Sequence, residues 1–366
     1  MSDTDNKVLP LKKLHEEAGA RFGVFAGWSM PITYPPGVLK EHLHARASAG
    51  LFDISHMKLI LLEGPDAASV LRAACPLEPE KLADHHSKYT LLLNDDAGIL
   101  DDLIVTRLGA DRFMVVANAA TAEQDARILA EFAGGWNCAV TPLDRVFLAV
   151  QGPEAIDILA KAGLDLNGLS FMQGIEPRPG WFASRSGYTG EDGGEVAIPS
   201  DEAETFARKL LSDSRIQWIG LAARDSLRLE AGLCLYGHEM NPEVDPISAG
   251  LIWAIPKSLR AGGPYRGAAR MAELAANPPV QSRVGLKPEG RQPVREGTEL
   301  FAEDGSRAGI VTSGGFGPSV GYPVAMGRVR ATLSADGTLL FAEVRGNRIP
   351  VRVHPLPFFP HRHHKG

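Results

Sequence analysis

The chain is expected to be α+β, with mixed or antiparallel sheets, and to end in a small all-β unit. Three observations predict this. Strand patterns come in pairs with single helical patterns between them, which argues against strict βαβ alternation. The proline pair Pro278–Pro279 coincides with a change of composition and marks a boundary, giving parts 1–278 and 279–366. Beyond it helical periodicity vanishes. Short strand patterns alternate there with turns such as Glu303-Asp304-Gly305 and Asp336-Gly337, as in a small barrel or sandwich.

The elements follow in order. Pro10 suits a first helical position, and Leu11, Leu14 and Ala18 share a face. A second helix starts after Pro35–Pro36 and stops near Gly50. Residues 51–64 read as one strand and 65–75 as a helix. Residues 87–95, 99–108 and 112–118 are apolar strand patterns, and 119–134 form an amphipathic helix. A strand (145–152), a helix (153–163), a glycine-rich strand pair (180–199) and a helix (201–213) come next. Residues 220–240 open on a helical, charge-rich pattern.

Bulk properties narrow the function. Among 366 residues, 44% are hydrophobic and 22% charged, ordinary for a soluble globular protein. The net charge of −6 argues against a general nucleic-acid binder. Cys75, Cys138 and Cys234 are far apart and form no C-x-x-C pair. Neither a zinc knuckle nor a disulfide framework is indicated, and a reducing compartment fits. The N-terminus has early acids and no apolar h-region, and no apolar run is long enough to span a bilayer. A cytoplasmic location is expected, with no membrane association.

Several candidate sites dissolve on inspection. The run 314–321, Gly-Gly-Phe-Gly-Pro-Ser-Val-Gly, lacks G-x-G-x-x-G spacing, and Pro318 stands where a helix should begin. It reads as a turn, and no P-loop exists. No flavin, nicotinamide or ATP site is expected. His361, His363 and His364 have no acidic or cysteine partners nearby, so a polar tail is expected rather than a metal site. His56 reads as a hydrogen-bonded core histidine. Tyr188, Glu191, Asp192 and Glu195 sit among glycines, either as a site or as a hairpin with solvated acids. Arg224, Asp225, Arg228 and Glu230 read by default as a solvated helix face with local ion pairs.

The sharpest feature is Asp101-Asp102 inside Ile99, Leu100, Leu103, Ile104 and Val105. Side chains alternate along a strand, so burying either face buries an aspartate. The residues alone point to a multidomain α+β protein, plausible as an enzyme that uses Asp101 or Asp102.

Long collinear blocks carry a resemblance: 22–34, 41–57, 88–105, 187–199, 220–240 and 310–329. Across nearly the whole chain the sequence resembles the T-protein family of the glycine cleavage system, the aminomethyltransferases. The resemblance implies a three-lobed, cloverleaf-like arrangement, with two α+β lobes binding folate and a C-terminal β-barrel. It implies tetrahydrofolate as acceptor substrate and the lipoylated H-protein as partner. The products implied are 5,10-methylenetetrahydrofolate, ammonia and dihydrolipoyl H-protein. Asp101 matches the catalytic carboxylate, with Asp102 expected on the opposite face in a structural role. Glu195 matches a pterin-binding glutamate and Arg224 a ligand-site arginine. Met57, Tyr89, Asn118, Tyr188, Tyr236 and Trp253 are further expected binding residues. In many members a tail tyrosine reaches the folate, and His363 stands at that place here. Gly194 replaces a bulkier residue and is expected to loosen its strand.

The wider fold family also holds folate-dependent demethylases, folate domains of sarcosine-type oxidases and a non-enzymatic relative. The oxidases carry a fused flavin domain that is absent here. The non-enzymatic relative carries a KGCYxGQE-type segment where this chain has Leu-Cys-Leu-Tyr-Gly-His-Glu-Met, 233–240.

Overall fold

The computed structural model describes residues 6–366. Residues 1–5, part of the N-terminal stretch read above, lie outside the described residues. The architecture is mixed α+β with a closed C-terminal barrel, as the strand and helix patterns predict.

One lobe is a five-stranded antiparallel sheet. Its strand order is Ser87–Leu93, Ile99–Gly109, Arg112–Ala117, Lys58–Glu63, Ala139–Leu143. Helices Ala67–Ala74 and Ala122–Ala133 cover one face, and Val70, Leu71, Ile128 and Leu129 pack onto Leu103, Val105 and Val115. A second lobe is a six-stranded sheet built around Val146–Gln151 and Gly193–Ile198, which pair antiparallel. Helices Ala155–Lys161 and Ser200–Leu211 cover it, burying Leu159, Phe206 and Leu210 against Leu148, Val150 and Val196. The bare faces of the two sheets meet through Phe52, Ile54, Leu59, Met114, Phe182 and Ala197.

The third lobe is a six-stranded closed barrel from Gln281–Pro288 to Asn347–His354, with Leu286, Val311, Ala325, Leu340 and Val351 inside. The helix Ala268–Ala276 precedes it.

Two expectations are corrected here. Residues 51–64 form two strands, Ala49–Asp53 and Lys58–Glu63. A turn closed by the Met57 N–H donating to the Ile54 carbonyl at 2.9 Å separates them. The break sends one apolar run into two different sheets and leaves His56 and Met57 at the crossing. Gly194 does not loosen its strand, which is buried throughout and paired on both sides. A Cβ there would come within 2.7 Å of Leu166 Cδ1 and 3.0 Å of Leu159 Cδ1, so glycine is what lets the covering helix pack closely.

The helix Leu221–Glu230 is the hub between lobes. Arg228 is 1% exposed. Its guanidinium donates to Asp225, to Glu239 at 3.1 Å, to the Leu233 carbonyl and to Ser313 Oγ of the barrel at 2.9 Å. Glu239 accepts in turn from Thr312 of the barrel at 2.6 Å. Glu230 accepts from the Ser319 N–H at 2.7 Å and pairs with His42 and Arg46. The solvated-face expectation therefore fails for Arg228 and Glu230. Only Asp225 keeps a largely exposed side chain, at 53%.

Candidate active site

Asp101 and Asp102 lie in the strand Ile99–Gly109, opposite Leu92 and Leu91 respectively. The turn before the strand is fixed by Asn94, whose Oδ1 accepts from the Gly98 N–H at 2.7 Å. Gly98 is required at that turn, because a Cβ would stand 1.7 Å from the Pro242 carbonyl.

The two carboxylates have different surroundings. Asp101 is fully buried and shares the helix-covered face with Leu103 and Val105. It accepts from the Asn118 N–H at 3.1 Å and from Asn118 Nδ2 at 2.9 Å. Asp102 is partly exposed and shares the inter-sheet face with Ile104. It accepts from Asn118 Nδ2 at 2.7 Å, and the Tyr89 hydroxyl lies near it. Burial, and then the Asp101 charge, push Asp102 up to about 7. Burial also raises Asp101, against the hydrogen bonds it accepts.

Asp102, not Asp101, faces the space between the sheets, while Asp101 lies under the helix Ala122–Ala133. Alternation along the strand is as expected, but which face the helices cover is a packing outcome.

Across the gap from Asp102 stands a second cluster. Glu195, 6% exposed, accepts from Ser186 Oγ at 2.7 Å. Burial raises its pKa, and the Arg224 charge opposes that. The Arg224 guanidinium lies 4.8 Å from the Tyr188 ring centroid and 4.0 Å from Met57 Sδ. Its Nη1 is buried without a partner, and so is His56 Nδ1. His56 is held neutral by burial and then by the nearby Arg224 charge, its pKa lowered to about 3. Glu191 is 1% exposed and paired to Arg46 at 3.0 Å, so the acids of this loop are not solvated.

Aromatic groups close the rim. Tyr188 donates to the Cys234 carbonyl. Tyr89 and Trp253 stack with centroids 5.1 Å apart, and Trp253 remains 55% exposed. Tyr236 bridges Met240, whose Sδ lies 3.8 Å from the Tyr89 hydroxyl.

The C-terminal tail is docked. Phe358 and Phe359 N–H groups donate to the Glu230 carbonyl, and the Arg362 N–H donates to the Gly190 carbonyl at 2.7 Å. His363 stacks on Phe171 at 3.7 Å between centroids, and its Nε2 is unpartnered. None of its hydrogen bonds or ring contacts among the described residues is with Glu195, Tyr188 or Arg224.

The sheets and helices therefore bring together Met57, Tyr89, Asp102, Asn118, Tyr188, Glu195 and Arg224, with Trp253 at the edge. A directed carboxylate, an unpaired guanidinium nitrogen and flat apolar walls suit a polar planar heterocycle. One group escaped sequence reading: Asp125, buried at 0% exposure on the helix that covers Asp101. It looks in the sequence like a polar position of an amphipathic helix. A cleft of about 200 Å³ lined by Leu61, Arg112, Met114 and Glu176 contains none of these groups. Among the described residues, no cluster of three His, Cys, Asp or Glu is disposed to hold a metal, and no helix is long and apolar enough to cross a membrane.

Comparison with known proteins matches the GCVT N-terminal domain over residues 11–258 and the glycine cleavage T-protein C-terminal barrel domain over 281–360. The chain is similar to the mitochondrial aminomethyltransferase of Gallus gallus, 40% identical over 97% of this chain and 93% of that one. It is also similar to the aminomethyltransferase of Saccharopolyspora erythraea, 38% identical over 96% and 98%. A crystal structure of the glycine cleavage system aminomethyltransferase T from Bartonella henselae is 56% identical, with a TM-score of 0.97 over 98% of this chain and 99% of that one.

Proposed function

We propose, from the premise that this chain belongs to the glycine cleavage T-protein family and is an aminomethyltransferase of the glycine cleavage system, that it moves the methylene carbon of an aminomethyl-lipoyl H-protein onto tetrahydrofolate. The products are 5,10-methylenetetrahydrofolate, ammonia and dihydrolipoyl H-protein. The observation that carries this reading is the pairing, across one gap, of Glu195 and Arg224 with Asp102.

Glu195 offers two oxygens to the ring N–H and exocyclic amino group of the pterin edge. Arg224 Nη1, buried without a protein partner, donates to a ligand acceptor. Tyr188 and Met57 supply apolar walls. Asp102 stands by the nitrogens that take up the carbon. As carboxylate it accepts a proton from them and stabilises the iminium-like cation that develops when ammonia departs. Asn118 aims it. Asp101, the carboxylate first assigned this role, supports from beneath. The exposed Trp253 and Tyr89 stack form the entrance for the lipoyl arm. A cytoplasmic location fits the sequence, and neither flavin, nicotinamide nor metal enters the proposal.

Calorimetric titration of tetrahydrofolate tests the site. Glu195→Ala should weaken binding by about 1.5–3 kcal/mol, roughly 10–150-fold, the cost of leaving directed donors unpaired. Equal dissociation constants for both proteins would remove the carboxylate from the pterin site.

The docked tail gives a second test. Truncation after Pro360 removes the 361–366 contacts with Gly190, Ala231 and Phe171. The folate dissociation constant should rise several-fold, because Gly190 belongs to the turn that carries Tyr188. An unchanged constant would show that His363 and its neighbours play no part in binding.

A further inference from the structure

Asp125 is the buried ionisable group that the reading above does not use. It lies in the first turn of the helix Ala122–Ala133, at 0% exposure, directly against Asp101. Neither of its carboxyl oxygens receives a well-aligned hydrogen bond from an N–H group or a hydroxyl, although the Thr121 hydroxyl of its own turn stands near them. Asp101 receives two N–H donors from Asn118, and Asp102 receives Asn118 Nδ2 and keeps partial contact with solvent.

The groups facing Asp125 are Asp101 and Asp102 from the strand, Thr121 from its own turn, Cys75 from the end of the helix Ala67–Ala74, and Tyr236 from the loop after the hub helix. No cation is among them, and none of the three aspartates forms an ion pair among the described residues. Three unpaired negative charges in one buried cluster are not sustainable, so at least one proton stays. It stays where the anion is least solvated. That is Asp125, whose oxygens have no strong donor. The helix N-terminus favours an anion at Asp125, but this contribution is small against the burial of an unpaired charge.

We propose that Asp125 is a neutral carboxylic acid that donates its hydrogen bond to the Asp101 carboxylate, and that this proton-sharing pair is a positioning device for the reaction. The proton limits the pair to a single negative charge. Asp101 so held orients the Asn118 amide, whose Nδ2 reaches both Asp101 Oδ1 and Asp102 Oδ1. With a carboxylate oxygen on two sides, only the NH₂ end of Asn118 fits there. Asp125 thus acts on Asp102 through two intermediaries and touches no substrate. Burial and then the Asp101 charge raise its pKa strongly, in agreement with a neutral acid through the neutral range.

This inference rests on the aminomethyl-transfer reading only for its kinetic arm. Its spectroscopic arm needs no substrate. Infrared spectra of the free protein at pH 8 should show a protonated-carboxyl C=O band that Asp125→Asn abolishes. No loss of the band on substitution would overturn the shared proton, whatever the enzyme does.

The kinetic arm measures transfer from aminomethylated H-protein to tetrahydrofolate against pH. Asp125→Asn keeps a donor to Asp101 and should cost about threefold or less at pH 7. Asp125→Ala leaves Asp101 bare and should cost tenfold or more. The wild-type rate should fall at alkaline pH as the pair loses its proton, and Asp125→Asn should move that limb upward by at least one pH unit. An unchanged alkaline limb in Asp125→Asn, or an Asn variant as impaired as the Ala variant, would overturn the positioning role. Should Asp125→Ala fail to fold, the Asn variant and the infrared band still decide.

Discussion

Asp102→Asn is expected to remain folded, to bind tetrahydrofolate, and to transfer the aminomethyl carbon roughly 10²–10⁴-fold more slowly, the range for loss of an acid–base group. The substitution keeps size and much of the hydrogen bonding with Asn118, and removes the charge and the proton-accepting capacity. Asp101→Asn should act differently. It removes charge from beneath Asn118, where the carboxyl has no exposure, and should alter stability and the pH profile more than the chemical step. The sign of the pH dependence follows from the environment of Asp102. Its pKa is raised to about 7 by burial and by Asp101. The reactive carboxylate therefore dominates above that value and is lost as pH falls through it, so the rate of the wild-type protein should drop on its acid side near neutrality. Single-turnover ammonia release for both variants, with melting temperatures alongside, checks this. Normal turnover by Asp102→Asn with a dead but folded Asp101→Asn would return the role to Asp101.

Arg228→Ala should produce the largest loss of stability, about 3–5 kcal/mol, because it strands a buried carboxylate. Glu239 accepts at 3.1 Å from Arg228 and has no exposure of its own. The same change withdraws the donor to Ser313 in the barrel. The midpoint of thermal or urea unfolding should fall steeply, with earlier proteolysis between the hub helix and the barrel. Arg208→Ala is the control. Its ion pairs with Glu17 and Glu204 are about half exposed, and solvent-screened pairs of this kind contribute little to stability. Similar losses for both variants would show that the buried hub does not couple the lobes.

Much of this was legible in the sequence because the signals were local. The amphipathic period of residues 119–134, the apolar strands around Asp101 and the turn-punctuated C-terminal run each reflect short-range constraints. The candidate site stood out in the residues where charge sat inside a strong apolar pattern, as at Asp101-Asp102, while Glu195 was singled out by the resemblance. What was not legible depended on contacts between segments far apart. Which aspartate meets the gap is decided by the helix Ala122–Ala133 lying on one face of the sheet. Arg228 and Glu230 look like surface charges until the barrel and the tail close over them. Asp125 has the pattern of an exposed helix position and is buried only because Asp101 lies below it. The N-terminal strands Arg21–Phe25 and Trp28–Thr33 have short, mixed patterns with weak alternation. They pair with each other, and Trp28–Thr33 pairs on its other side with Lys7–Val8.

The most direct test of the central claim mixes the wild-type protein with aminomethylated H-protein, with and without tetrahydrofolate, and follows the labelled methylene carbon and ammonia in one turnover. The account predicts that label appears on tetrahydrofolate in step with ammonia, that omitting the folate suppresses both, and that Asp102→Asn slows them together. Ammonia released at full rate without folate, or label that never reaches it, would contradict the account.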